Sequence, residues 1–345
     1  MLELPDKLQN IESRANLMRV GKIVFAVVLI PTLITLISNI YFTLTLGYGE
    51  RIITGAYSSS LLLRVSSLLE AFMVPALLAM FIAKNNEERW PLFLIIVYIV
   101  LYLISGSRIR AFILLAEVFY TYIRVHKRMS KSLFIKLLIV IIIAIVIFGL
   151  ISSLRTALDR GNSFLKSLEK VIEDAKVNNP IINSISEVGY TFMSTAIVVE
   201  KCPKFVEHLN GKSYISAVAY ILPNFVTGNY FAKVPGVDDT FKKYLAYGDS
   251  GIGSSYIAEA YFNFGVGIYL VMVLYGFMLG KLSEKIEEYI FKGDYLKLFL
   301  YIGIFGIIIF YVRSDTRTFF RNFIWFYLSI YMVAKLILNK RKKRS

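Results

Sequence analysis

The chain has 345 residues, of which 57% are hydrophobic and 18% charged, with a mean hydropathy of +0.61 and a net charge of +15. Charge is sparser than the ~25% of soluble domains, and several apolar runs reach roughly 18–22 residues, the length that crosses a bilayer. A soluble domain is excluded, and an all-α polytopic membrane protein is predicted. The positive charge reads as the lysine and arginine of cytoplasmic loops, so no nucleic-acid partner is expected.

Cys202 is the one cysteine, which excludes an internal disulfide. The two histidines, His126 and His208, leave too few ligands for a zinc or haem site, and no Walker loop, GxSxG elbow or HExxH is present. No metal and no cofactor are therefore expected.

Residues 1–21 are polar and lack a cleavable signal pattern, so they read as a cytoplasmic segment preceding a span that acts as its own insertion signal. Five spans follow within 22–154, at 22–44, 60–83, 91–105, 109–124 and 137–154. Three more fill 265–338, at 265–282, 296–312 and 321–338. The basic loop at 124–136 and the tail NKRKKRS at 339–345 place both termini in the cytoplasm by the positive-inside rule. The stretch 155–264 is then an extracytoplasmic region with short helices. FLKSLEKVIEDAKVNN (164–179) has helical spacing, with Leu165, Leu168, Val171, Ile172 and Ala175 on one face. The apolar stretches 188–199 and 214–226 are too short to span comfortably and read as interfacial or re-entrant helices.

The outer side collects arginine. Arg51, Arg64, Arg108, Arg110, Arg155, Arg160, Arg313, Arg317 and Arg321 lie at outer span ends or in short outer connections, none of which contains a lysine. Arginine binds phosphate bidentately and stays charged when desolvated. The plain alternative is snorkelling to lipid headgroups, or pairing with Glu70, Asp159 and Asp315. As a set, with Arg108, Arg155 and Arg317 coming from three places in the chain, they point to an anionic ligand, a lipid pyrophosphate in the outer leaflet. Arg321 is a further candidate.

A second constellation is GDSGIGSSYIAEAYFNFGVG (248–267), a glycine loop leading to a helix start at Ser254–Ser255. Ser255, Glu259 and Asn263 follow at i, i+4 and i+8, one polar stripe on an apolar helix. A carboxylate there can bind a sugar hydroxyl, act as a base or hold an arginine. Many of the aromatics fall near span ends, where an interfacial belt accounts for them, while those of the outer segment, Tyr190 and Tyr220 among them, can instead stack on sugar rings. The adjacent Asp238 and Asp239 read as a solvated turn rather than a metal site.

With these pieces in place, the chain resembles the oligosaccharide repeat-unit polymerases, the Wzy-type O-antigen and capsule polymerases. Four stretches carry the resemblance in matching order. They are GSRIRAF (106–112), EVGYTF (187–192) with GKSYISAVAYILPN (211–224), SSYIAEAYFNFGVGIYLVMVLYGFMLG (254–280) and SDTRTFFRNFIWFYL (314–328). Members usually have more spans than the eight counted here, so further spans would precede residue 22 or the chain is a shorter member.

The resemblance implies a GT-C-like, metal-independent glycosyltransferase in the bacterial cytoplasmic membrane. It would transfer a growing glycan from undecaprenyl pyrophosphate onto the sugar of an incoming lipid-linked repeat unit. A chain-length-regulating co-polymerase would be a partner, as would membrane lipids. On this view Arg108, Arg155, Arg317 and Arg321 bind pyrophosphate. Glu259, Glu187, Asp249 and His208 are the candidates to receive the acceptor's proton, and no spacing selects among them. Ser255, Asn263 and Tyr190 are the sugar- or anion-binding candidates. An O-antigen ligase would use the same donor and the same kind of arginines. A lipid-linked glycan flippase or a non-catalytic assembly subunit are the alternatives of another class. A transporter places charge at mid-span, whereas here the charge gathers at the outer face.

Overall fold

The computed structural model describes residues 7–47, 60–85, 87–106, 108–126, 130–159, 164–177, 179–221 and 254–342. Among them every regular element is helical, and the protein is an all-α, multi-pass membrane protein. Ile11–Leu46, Leu61–Ala83, Tyr256–Lys292 and Thr316–Asn339 are long and apolar enough to cross a bilayer, and Trp90–Ile104 and Tyr295–Tyr311 are shorter apolar helices.

The described residues fall into two compact units, one within Met18–Val188 and one within Met1–Leu17 and Gly189–Ser345. In the first, α1 (Lys7–Leu46) carries Pro31, and the neighbouring Thr32 hydroxyl donates to the Val28 carbonyl at 2.7 Å. Ser60 caps α2 (Leu61–Glu70) by accepting from the Leu63 amide. After a break at Ala71–Phe72 comes α3 (Met73–Ala83), apolar on every side and buried throughout. Pro91 sits in the first turn of α4 (Trp90–Ile104), where its missing N–H costs nothing. Val28, Leu36, Leu77, Phe81, Ile95 and Leu114 are among the residues of this unit's core.

The chain turns at Ser105–Gly106 into α5 (Ile109–Thr121), which ends in a wide π-turn at Tyr122–His126. The basic stretch expected as a loop to 136 is already helical from Lys131, where α6 (Lys131–Asp159) begins. Amphipathic α7 (Phe164–Val177) buries Val171 but leaves Leu165 and Ile172 exposed. The stretch 188–199 is no short element: it is the C-terminal half of α8 (Pro180–Lys201), 22 residues long, whose polar first half hides that length in sequence.

In the second unit, α9 (Lys212–Ala219) is followed, after residues outside the description, by α10 (Tyr256–Phe264). A 3₁₀ turn at Gly265–Gly267 joins α10 to α11 (Ile268–Lys292). The helical rod therefore begins nine residues before the expected span start at 265. Leu270 and Val273 on α11 are exposed, as a lipid-facing helix requires. Then come α12 (Tyr295–Tyr311), capped by Asp294, and α13 (Thr316–Asn322), a π-turn at Phe323–Leu328 and α14 (Ser329–Lys342). The Tyr327 ring lies against Gly303, where any Cβ would occupy the ring's own space.

Candidate functional site

The serine–glutamate–asparagine stripe folds as its spacing predicts. Ser255 is the N-cap of α10, its hydroxyl accepting from the Ala258 amide at 3.1 Å. The same hydroxyl lies 3.2 Å from Thr195 Oγ1 on α8. Ser255, Glu259 and Asn263 are all buried, at 3%, 1% and 0% exposure.

Both carboxylate oxygens of Glu259 are occupied. Oε1 accepts from Ser213 Oγ on α9 at 2.7 Å. Oε2 accepts from the Thr316 amide at 2.8 Å and from Thr316 Oγ1 at 2.7 Å. All three donors are neutral. Asn263 Nδ2 donates to Ser213 Oγ at 2.8 Å and to the Glu259 carbonyl at 2.7 Å, bracing the knot from one turn further along α10. The Thr316 hydroxyl also bonds the Tyr311 hydroxyl. Tyr311 and Tyr275 hydroxyls lie 2.8 Å apart, and Tyr275 and Tyr214 hydroxyls 3.4 Å apart. Burial pushes the Tyr214 phenol far above its ordinary range, so it stays protonated and available to donate.

Arg317 follows Thr316 directly. Its Nε donates to Asp315 Oδ2 at 3.0 Å, while Asp315 Oδ1 caps α13 through the Thr318 amide at 2.9 Å. The Arg317 and Arg321 guanidinium carbons lie 5.6 and 5.7 Å from the centroid of one aromatic ring, that of Tyr220 just past α9. The segment bearing Tyr220 is fastened by Trp325 Nε1, which donates to the Ile221 carbonyl at 2.9 Å. Two cations, one acid and one aromatic face thus share a place immediately beside the Glu259 knot.

His208 closes the other end of α10. Its Nδ1 is 3.3 Å from the Phe262 carbonyl, and the Leu209 and Asn210 amides donate to the Phe262 and Asn263 carbonyls at 3.0 Å each. These are carbonyls a helix end leaves unsatisfied. Gly265, at φ +53°, is required here, because a Cβ would come within 2.9 Å of His208 Nε2.

The remaining sequence candidates divide by unit. Arg108 precedes α5 in the first unit, and its guanidinium donates to the Phe148 carbonyl of α6 at 3.3 Å. Arg155 lies near the end of α6 and Glu187 within α8, both in the first unit, and Tyr190 lies on α8 in the second; the side chains of these three, and all of Asp249, Asp238 and Asp239, lie outside the described residues. Pairing with Glu70 and Asp315 is realised: Arg110 forms an ion pair with Glu70, and Arg317 with Asp315. Ser213, Thr316, Tyr275 and Tyr311 were not singled out from sequence as site residues. Thr316 lies directly before the candidate Arg317, and the aspartate of SDTR, a residue type suited to an N-cap, is a local signal of the helix that starts there. Among the described residues no group of three or more His, Cys, Asp or Glu is placed to hold a metal ion.

No curated protein and no solved structure matches the chain. Residues 4–342 match the family model described as O-antigen polysaccharide polymerase Wzy. With that match over nearly its whole length, and with its helices long and apolar enough to span a membrane, the chain belongs to the Wzy family of O-antigen polysaccharide polymerases.

Proposed function

We propose that the protein polymerises undecaprenyl-pyrophosphate-linked repeat units on the outer face of the bacterial cytoplasmic membrane, and that Arg317 and Arg321 hold the pyrophosphate of the donor. The observation that carries this reading is the shared Tyr220 ring. Two guanidinium groups gather at one aromatic ring, and Asp315 holds the Nε of one of them, so two cations are brought to one place. The leaving group of the reaction is a lipid pyrophosphate, which gains charge as the glycosidic bond breaks. Fixed cations in a site sheltered from water stabilise that charge without having to reorganise.

Arg108 and Arg155, in the other unit, stay as pyrophosphate-binding candidates on the sequence alone. The acceptor hydroxyl needs a partner for its proton. Glu259 spends both oxygens on Ser213 and Thr316, so we assign that role to His208. Its Nδ1, donating to the Phe262 carbonyl, leaves Nε2 as the ring's acceptor. Ser255 and Asn263 brace the buried stripe, and Tyr190 remains the sugar-stacking candidate. No metal is required by this arrangement of charges, and a co-polymerase that sets chain length is an expected partner.

Reconstitution tests the reading. Purified protein in liposomes, supplied with undecaprenyl-pyrophosphate-linked repeat units, is expected to yield a ladder of glycan lengths. Arg317→Ala combined with Arg321→Ala should abolish it. Single units persisting with the folded wild-type protein would sink the polymerase reading, and a normal ladder from the double variant would sink the pyrophosphate assignment.

A further inference from the structure

We propose that Ser213 and Thr316 are positioning residues, clasped by the buried Glu259 carboxylate so that the Tyr220 ring and the two arginines are held in one fixed arrangement. The proposal rests on the assignment of Arg317 and Arg321 to the donor pyrophosphate. It gives Glu259 the work of a clasp rather than of a base.

The hydrogen bonds fix their own directions. Ser213 Oγ accepts from Asn263 Nδ2, so its single proton goes to Glu259 Oε1. Thr316 Oγ1 gives its single proton to Oε2, so it accepts from the Tyr311 hydroxyl. The Tyr311 hydroxyl in turn lies 2.8 Å from that of Tyr275. The Ser213 and Thr316 hydroxyl protons and the Thr316 amide therefore all point toward the one carboxylate. At 1% exposure, with a donor on each oxygen and two on Oε2, that carboxylate has no face to offer an acceptor sugar. A base has to reach the proton it removes.

The chain connections show what the clasp controls. Residue 213 lies 46 positions before Glu259 and residue 316 lies 57 positions after it. The carboxylate thus joins α9 to α13 through α10. On one side, α9 begins next to Ser213 and delivers Tyr220 directly after its last residue, Ala219. On the other, Thr316 is clamped by both its amide and its hydroxyl, and Arg317 and Arg321 follow on the same short helix. The ring and the cations that stack on it are therefore set from a single buried point. Asp315 and Trp325 then refine the placement locally, through Arg317 Nε and through the Ile221 carbonyl. Small displacements of groups that face a reacting centre cost far more than the contact that positioned them, roughly a hundredfold in rate for 1 Å.

The experiment is steady-state polymerisation in liposomes with undecaprenyl-pyrophosphate-linked repeat units, measured on protein shown to be folded by its thermal melt. Thr316→Val removes the hydroxyl and keeps the shape; it should raise KM for the lipid-linked donor about tenfold and lower kcat, as expected for losing one hydrogen bond to a charged group. Thr316→Ser restores the hydroxyl and should recover most of both. Ser213→Ala should behave like Thr316→Val. Glu259→Gln keeps an oxygen for Thr316 and should retain activity within about one order of magnitude.

An inactive but folded Glu259→Gln would overturn the clasp and make the carboxylate the base. Normal kinetics in Thr316→Val would overturn it too, as would a Thr316→Ser variant no better than Thr316→Val. Should Thr316→Val not fold, the Glu259→Gln and Thr316→Ser kinetics decide alone. The parent assignment fails separately: if Arg317→Ala and Arg321→Ala leave donor KM and kcat unchanged, the arginines do not bind the pyrophosphate, whatever Thr316 does.

Discussion

Glu70 of the first unit and Glu259 of the second are both buried in apolar surroundings, and the two are satisfied in opposite ways. Glu70, 3% exposed, meets a cation: Arg110 forms an ion pair with it, and the Tyr98 hydroxyl donates to Oε1 at 2.7 Å. Glu259, 1% exposed, meets among the described residues only neutral donors, the hydroxyls of Ser213 and Thr316 and one backbone amide. In the first unit an arginine is consumed in neutralising the acid, and Arg108 beside it is engaged by a backbone carbonyl. In the second unit the acid is held without any arginine, and the two nearby arginines gather on an aromatic ring. The same residue types thus make a buried ion pair in one place and, in the other, two cations at one ring, one of them also held by Asp315. Counting arginines at the outer side of the sequence does not separate these two uses.

The largest expected effect comes from the arginines of the second unit. Replacing Arg317 and Arg321 together by alanine should remove at least two orders of magnitude of polymer formation, about 3 kcal/mol of transition-state stabilisation or more, while the thermal melt moves little. Arg110→Ala should show the reverse pattern. It strands the Glu70 carboxylate in an apolar setting, so stability should fall by about 3 kcal/mol, toward the lower end for a buried pair because the Arg110 side chain is 33% exposed. Thermal unfolding in detergent, run beside the gel ladder for all of these proteins, separates the two patterns. Equal stability loss in both sets would erase the distinction between brace and binding site.

These contrasts also show what was legible in the sequence. The eight apolar runs each coincide with helix, because composition and length suffice to specify a helix in a bilayer. The helix start at Ser255 and the stripe through Glu259 and Asn263 were readable too, since both rest on local chemistry and a 3.6-residue period. The partners of that stripe were not. Ser213 lies 46 residues upstream and Thr316 57 residues downstream, and nothing in KSYISAVA or SDTRTFF announces that their hydroxyls share a carboxylate. Helix α8 runs unbroken from Pro180 to Lys201, whereas in sequence only its apolar second half, 188–199, stands out. The two arginines are candidates from sequence, but Tyr220 is one of many outer-segment aromatics able to stack on a sugar ring, and no spacing selects it. Its role comes from sitting just beyond the end of α9, a matter of tertiary placement.

A smaller effect is expected at the far end of α10. Gly265→Ala places a methyl group within 2.9 Å of His208 Nε2 at a residue held at φ +53°. The backbone strain alone should cost about 1–2 kcal/mol. If His208 receives the acceptor's proton, kcat should also fall because the ring is displaced, with KM for the donor unchanged. A stability loss with normal kcat would leave His208 as packing and turn attention back to Glu187 and Asp249.

The smallest expected effect tests whether the aromatic face itself matters. Tyr220→Phe keeps the ring under both guanidinium groups and removes only the hydroxyl, so donor KM should hardly change. Tyr220→Leu keeps apolar bulk but removes the π-face. It should raise donor KM by about two- to tenfold, the equivalent of roughly 0.5–1.5 kcal/mol of cation–π stabilisation at a partly sheltered site. In the first unit Arg110 is held by the Glu70 carboxylate, so the corresponding change there is to the acid. If Tyr220→Phe and Tyr220→Leu proved equally impaired, the hydroxyl rather than the ring would be the active element. The comparison between a charge held by an acid and a charge held by an aromatic face would then have to be redrawn.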